Sequence, residues 1–248
     1  MAAGASVEGT ATYPDSLTDA LPAAHFRRLD GLTVASIGVG TYLGDEDDET
    51  DGAYGEALVD AAFQGTNHFD TAINYRAQRS ERVLGTVIES LIAEGAFRRE
   101  QLVVATKGGY LPFDGATPHA PGAYIRDTYF APGILTPADV IAGCHAMTPR
   151  YLDDQLERSR QNLGLETIDV YYVHNPETQL TVVPRAEFMD RMRAAFALLE
   201  TAVADGRIGR YGVATWDGFR KAPGAREHLS LAALVDAAVT VGGAGHHF

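Results

Sequence analysis

Apolar positions along this chain follow two alternating periods. Residues 67–70, 101–106, 168–173 and 208–213 form short, mostly apolar runs, and Leu102-Val103-Val104-Ala105 reads as a strand buried on both faces. Around these runs, residues 51–64, 80–91, 149–162, 185–204 and 230–241 carry apolar side chains at helical spacing, most clearly Val83, Leu84, Val87, Ile88 and Leu91. Ser80 is placed to cap the second of these helices, with Glu81 at the positive end of its dipole, and Thr148-Pro149 is a good start for the third. Gly65 is placed to end the first in the left-handed conformation. Strands alternating with amphipathic helices predict parallel βα units and an α/β fold.

Three stretches fall outside that alternation. Asp30-Gly31 separates the apolar segments 26–29 and 32–34, and this dipeptide predicts a β-hairpin with a type I′ turn. Residues 1–24 are rich in Ala, Gly, Ser, Thr and Pro and read as a flexible tail, leaving 25–248 as a single domain. Between 108 and 148 the period breaks down among prolines, glycines and the aromatics Phe113, Tyr124, Tyr129 and Phe130. A βα connection of about 40 residues is far above the usual few, and it leaves the strand end that bears Lys107, so it is expected to wall a substrate pocket. The acidic run 45–51 reads as a solvated loop leading into a helix.

The 248 residues, 46% hydrophobic and 21% charged, suit one soluble domain with a sizeable core. A net charge of -13 without a Lys/Arg cluster speaks against nucleic acid and anionic membranes as partners, so an anionic cofactor needs a locally basic pocket. Cys144 is the only cysteine, which excludes an internal disulfide and a Cys-rich zinc site, and Cys144-His145 reads as packing. With no apolar run of about 18 residues and no secretory signal pattern, the expectation is a cytoplasmic protein without a membrane span.

The candidate chemistry lies at strand ends. Asp70 closes the 67–70 strand and Tyr75 follows five residues later on the strand-to-helix loop. Lys107 stands at the mouth of the 101–106 strand, and Pro176 stops the 168–173 strand so that His174 lies at its tip. Three polar residues at corresponding ends of successive parallel strands, with Tyr75 reaching in from a loop, are hard to explain as packing. Gly38-Val39-Gly40-Thr41-Tyr42-Leu43-Gly44 is not a dinucleotide fingerprint, because the third glycine comes one place late and an acidic run follows where a helix should start.

These residues resemble the aldo-keto reductase superfamily, whose Asp, Tyr, Lys and His tetrad matches Asp70, Tyr75, Lys107 and His174 in order and local setting. The similarity extends through Ile37-Gly38-Val39-Gly40-Thr41 and Ile208-Gly209-Arg210-Tyr211-Gly212-Val213. It implies a (β/α)8 TIM-barrel type of fold, with the hairpin plugging its bottom. It also implies hydride transfer between NADP(H), with NAD as the alternative, and an aldehyde, ketone or sugar carbonyl. By the same resemblance Gly40, Thr41, Asp70, Thr215 and Trp216 are candidates to bind the cofactor. Many family members have Ser-Asn where Ala214-Thr215 stand, which leaves Thr215 one hydroxyl with which to imitate their contact. Only five βα units can be counted where a closed barrel has eight, so the chain is expected to be truncated at its C-terminus.

In this reading Tyr75 protonates the nascent alkoxide. The Lys107 ammonium brings the phenol, whose ordinary pKa is near ~10, toward neutrality. Asp70 pairs with Lys107, and His174 donates a hydrogen bond that orients the carbonyl. Two other classes stay open: a non-catalytic relative acting as a nucleotide-binding or interaction module, and a metal-dependent hydrolase using His68, Asp70 and His174. Natural substrate and oligomeric state are not legible.

Overall fold

The apolar runs that the pattern marks as strands pair side by side in chain order. In the computed structural model, which describes residues 4–248, β3 (Val39–Gly40), β4 (His68–Asp70), β5 (Val103–Gly108), β6 (Ile168–His174) and β7 (Ile208–Ala214) form one five-stranded sheet in the order β3-β4-β5-β6-β7. Every pairing in it is parallel. The hairpin β1 (Phe26–Leu29) and β2 (Leu32–Ala35) stands apart as a two-stranded antiparallel sheet. Its turn residues Asp30 and Gly31 have φ of 47° and 85°, as a type I′ turn requires.

Helices return the chain between strands: α2 (Asp48–Phe63), α3 (Arg79–Ala93), α5 (Pro149–Leu163) and α6 (Arg185–Ala204), with α7 (Leu231–Gly242) after β7. Their apolar faces and the sheet share one core, in which Leu84, Leu152, Tyr171, Phe196 and Leu234 are fully enclosed. Gly164 ends α5 in the left-handed conformation at φ 64°, where a side chain would be strained. The Thr148 side chain makes no capping bond, and the helix start rests on Pro149.

The N-terminal segment is not a loose tail. Ser6 caps α1 (Val7–Thr12) by accepting from the Gly9 amide, and Tyr13 is completely buried with its hydroxyl donating to the Ala62 carbonyl at 2.6 Å. Its composition looked too polar to bury, yet the polar atoms find partners: the Thr10 hydroxyl accepts from the Thr33 amide at 3.0 Å. Gly9 lies so close to the Glu100 backbone that a Cβ would come within 2.4 Å of its carbonyl oxygen.

This segment and the hairpin cover the end of the sheet where the strands begin. Asn67, just before β4, accepts from the Ala35 amide and donates to the Thr33 and Gln101 carbonyls. The strands' other ends are thereby left for chemistry.

The long 109–148 connection also departs from expectation. It includes α4 (Pro121–Ile125) and folds around its own small core, in which Tyr129, Leu135 and Ala146 pack on Tyr151 of α5. Phe113, Tyr124 and Tyr129 meet one another edge to face, so these aromatics serve the loop's interior.

Candidate active site

Asp70 is the last residue of β4, Lys107 the second-last of β5 and His174 the last of β6, so all three stand on one rim of the sheet. Pairing runs on beyond Asp70, with the Thr71 amide donating to the Ala105 carbonyl at 2.9 Å and the Ile73 amide to the Lys107 carbonyl at 3.2 Å. That extension carries the chain over β5 and brings Tyr75 to Lys107. The buried Lys107 ammonium donates to the Asp70 carboxylate, to the Thr71 carbonyl at 2.7 Å and to the Tyr75 phenol oxygen at 3.3 Å. An ammonium has three protons and no lone pair, so the phenol must accept here, and its own proton is free for another partner.

The electrostatics of this pair run against the sequence expectation. The Tyr75 phenol is pushed well above its ordinary pKa, first by burial, then by the Asp70 charge and by Tyr42. Burial and the Asp70 carboxylate together outweigh the pull of the neighbouring ammonium, which also faces Asp70. Burial also lowers the Lys107 pKa, with Asp70 opposing. At neutral pH the phenol therefore holds its proton.

His174 is held neutral, with its pKa lowered to about 3 by burial, then by Lys107 and by His145. Its ring meets the Tyr75 ring edge to face at 5.7 Å and the Tyr110 ring at 5.1 Å. The side-chain oxygen of Asn74 lies 3.2 Å from Nδ1, so the Asn74 amide decides which ring nitrogen carries the proton. From behind, buried His145 donates its Nε2 proton to the His174 carbonyl at 2.7 Å, while its Nδ1 accepts from Gln179 at 2.9 Å.

Asp70, Tyr75 and His174 open onto a cleft of about 670 Å³. Two exposed aromatic rings flank its mouth: Tyr42, 56% exposed and 5.0 Å from the Tyr75 ring, and Trp216, 70% exposed and 6.3 Å from Tyr42. The far wall carries Asn175, Glu177, Asp217 and Glu227, with Lys221 as its cation. Tyr110 is the long connection's contribution to the lining, so that connection walls the cleft with a single residue.

The residues expected to bind the cofactor divide. Asp70 and Trp216 line the cleft; Gly40, Thr41 and Thr215 do not. The Thr41 side chain turns inward, its hydroxyl donating to that of Thr71 at 2.9 Å. The Thr215 hydroxyl donates to Glu177 and accepts from the Gly218 amide, which leaves it no proton to offer a ligand. Glu177 itself keeps its Oε2 buried without a partner among the described residues. Ser80 and Glu81 also have other work than capping: the Ser80 hydroxyl donates to the Thr41 carbonyl at 2.8 Å, and buried Glu81 accepts from Thr106 and Asn162. Among the described residues no group of three His, Cys, Asp or Glu could hold a metal ion, and no helix is long and apolar enough to cross a membrane.

Asn74, Tyr110, Asn175 and Glu177 were missed as site residues in the sequence. The string Asn175-Pro176-Glu177 had been legible only as the end of a strand. Asn175 sits in the left-handed region at φ 41°, its side chain accepting from the Trp216 amide at 2.8 Å and donating to the Tyr110 hydroxyl at 3.3 Å. No local signal marks His145, whose partners lie some 30 residues away.

The acidic run 45–51 is, as expected, an exposed loop leading into a helix, but its side chains and carbonyls are engaged. Asp47 caps α2, and the run is gripped by Arg76 and Arg79. Arg76, Ala77 and Gln78, directly after Tyr75, all have positive φ, of 49°, 51° and 72°. For residues other than glycine this costs roughly 1–2 kcal/mol each.

The sequence model of the Aldo/keto reductase family matches residues 36–237. D-threo-aldose 1-dehydrogenase from a Pseudomonas species is 26% identical over 190 residues, which make up 74% of this chain and 50% of that protein. Among solved structures, an aldo-keto reductase from Bacillus halodurans in its holo form superposes with a TM-score of 0.51 at 19% identity, over 77% of this chain and 50% of its own. A silkworm (Bombyx mori) aldo-keto reductase complexed with NADPH gives 0.50 at 23% identity, over 76% and 46%. These likenesses extend to the TIM-barrel type of α/β fold, and the chain spans half or less of each of these relatives' length.

Proposed function

Because the chain belongs to the aldo/keto reductase family, we propose that it is an oxidoreductase that reduces an aldehyde, ketone or sugar carbonyl with NADPH. The observation that carries this reading is the Tyr75 phenol, still protonated at neutral pH, accepting from a Lys107 ammonium that is itself pinned by Asp70. The silkworm relative is solved with NADPH, and NAD is the alternative. Residues of the cleft fit the nicotinamide end of such a cofactor: Trp216 offers an exposed ring face, and the orphaned Glu177 Oε2 is an acceptor suited to a carboxamide N–H. Asp70, Asn175 and Trp216 would hold that end.

When bound, the reduced cofactor supplies the hydride. As charge builds on the carbonyl oxygen, Tyr75 delivers its proton, the general-acid step. The phenolate left behind sits beside the Lys107 ammonium, which stabilises it at the moment it forms. Asp70 and the Thr71 carbonyl keep that ammonium in place. His174, neutral, can orient the carbonyl by donating from Nε2 only when the Asn74 amide presents its NH2 group to Nδ1. A raised phenol pKa keeps the proton in place at neutral pH, the state that carbonyl reduction requires, while making the phenol a weaker acid.

The test is turnover of NADPH with neutral aldehydes, ketones and aldoses, beside NADPH binding measured by fluorescence. Tyr75→Phe is expected to lose turnover by roughly 10²–10⁴-fold while binding NADPH as the parent does. Near-normal turnover would refute the role. A second reading, a nucleotide-binding or interaction module without catalysis, draws on the turned-in Thr41 and the engaged Thr215 hydroxyl. NADPH binding with no turnover of any carbonyl would favour it.

A further inference from the structure

We propose that Arg76 is the positioning residue for Tyr75. It locks the segment of residues 42–54 onto the left-handed turn that follows the phenol, and so holds the proton donor against Lys107. This rests on the reading of Tyr75 as general acid and goes beyond it.

Three consecutive positive-φ residues without a glycine form a conformation that persists only where the surroundings over-determine it. Arg76 supplies the determination from one side. Its side chain is 1% exposed. Nε donates to the Asp45 carbonyl at 2.7 Å, and Nη2 donates to the Asp47 carbonyl at 3.1 Å and to the Asp51 carboxylate at 2.6 Å. Its guanidinium carbon lies 5.3 Å from the centre of the Tyr54 ring. Tyr54 in turn donates to the Leu43 carbonyl at 2.7 Å. Two carbonyls, a carboxylate and a ring face, all from one segment, thus converge on a single guanidinium. A planar fork can meet them and an ammonium cannot.

The same segment returns to the reaction site at its other end. Tyr42 lies on the Tyr75 ring, and Tyr42, Tyr75 and Asp70 share the cleft. Arg76 therefore ties the backbone beside the phenol to the chain that packs on the phenol's ring. The turn's far side is held by the long connection, through the Gly115 amide to the Ala77 carbonyl at 2.8 Å and the Gln78 side chain to the Phe113 carbonyl at 2.7 Å. Arg79 shares Asp51 but is more exposed and binds only carboxylates, so it cannot replace the carbonyl contacts. Without the guanidinium, the turn is free to relax toward right-handed φ. The phenol oxygen then leaves its place 3.3 Å from Lys107.

The experiment compares the parent chain with Arg76→Met and Arg76→Lys by steady-state kinetics and by amide hydrogen exchange at 42–51 and 74–78. A misplaced catalytic group loses rate on the order of 100-fold. Both variants are expected to lose kcat on that scale with the carbonyl KM within about twofold, since the phenol acts in the transition state. Exchange at the two segments should rise together while β5 and β6 stay protected. Unchanged kcat and unchanged exchange at 74–78 in Arg76→Met would overturn the proposal. So would a loss confined to KM. If Arg76→Met fails to fold, Arg76→Lys, which keeps the buried charge, carries the same two readings. If the parent chain reduces no carbonyl, the reductase reading fails by itself, and the positional lock stands or falls on the coupled exchange alone.

Discussion

The Lys107 ammonium donates to the phenol oxygen of Tyr75 across 3.3 Å while Asp70 and the Thr71 carbonyl take its other protons. The lysine's charge is thus shared with Asp70, and burial has the larger say in how the phenol titrates. Burial and the Asp70 charge raise the phenol pKa, so the proton stays on oxygen until well above neutral pH. Reduction should therefore run at a constant kcat from pH 6 to beyond 9, and alcohol oxidation, which needs the phenolate, should climb across the alkaline range. Paired pH profiles of the two directions check this. A reduction rate that fell through pH 7 would contradict it.

Asp70→Asn removes the carboxylate that both masks Lys107 and raises the phenol pKa. The alkaline rise of alcohol oxidation is expected to move to lower pH in this variant. The profile should stay where it was if Asp70 served only to hold the lysine in place.

Acid should weaken the fold through two histidines. His145 and His174 have folded-state values of about 4 and about 3, both below the ordinary value near ~6.5. The folded rings stay neutral while unfolded rings take up protons, so their stabilising contribution is complete above about pH 6.5 and is lost as the pH falls toward 4 and 3. Each ring adds a slope of roughly 1.4 kcal/mol per pH unit in that window. Urea unfolding between pH 7 and 4 measures it, and His145→Gln is expected to flatten the dependence by one ring's share.

Arg99 and Asp169 form a buried ion pair at 2.7 Å beneath the sheet, at 5% and 6% side-chain exposure. Asp169 also accepts from the Val104 amide, and Arg99 donates to the Leu102 and Thr167 carbonyls. Arg99→Met strands the carboxylate and is expected to cost about 3–5 kcal/mol in urea unfolding. A loss below about 1 kcal/mol would mean that the carboxylate finds water there.

The cleft's charge bears on substrate choice. Glu177, Asp217 and Glu227 face Lys221 across its far wall, so a phosphorylated or carboxylated carbonyl meets net repulsion there. A neutral aldose is expected to show kcat/KM at least about tenfold above its phosphate ester. Equal values would place substrate binding away from that wall.

Much of this molecule could be read from its residues alone. The parallel strands and the helices between them follow from patterns that the backbone itself imposes, continuous apolar runs in strands buried on both faces and a 3.6-residue period in helices. Asp70, Lys107 and His174 could be placed at strand ends because an apolar run, a proline or a charge marks where pairing stops. The Asp30-Gly31 hairpin was legible for the same reason: the turn needs positive φ at both positions.

What the residues alone did not disclose depends on neighbours distant in the chain. The first residues look like a polar tail until Ala62 and Thr33 are brought beside Tyr13 and Thr10. The acidic run is solvated as read, but nothing in it announces that Arg76 folds back onto its carbonyls and Asp51. The direction of the Tyr75 shift is a sum of burial and charges on three separate segments, and that sum is defined only once the chain is packed. The local sequence placed Tyr75 on the loop after β4. The tertiary structure decided whether it keeps its proton, because desolvation and charge pairing are properties of an enclosure and no single segment encloses anything.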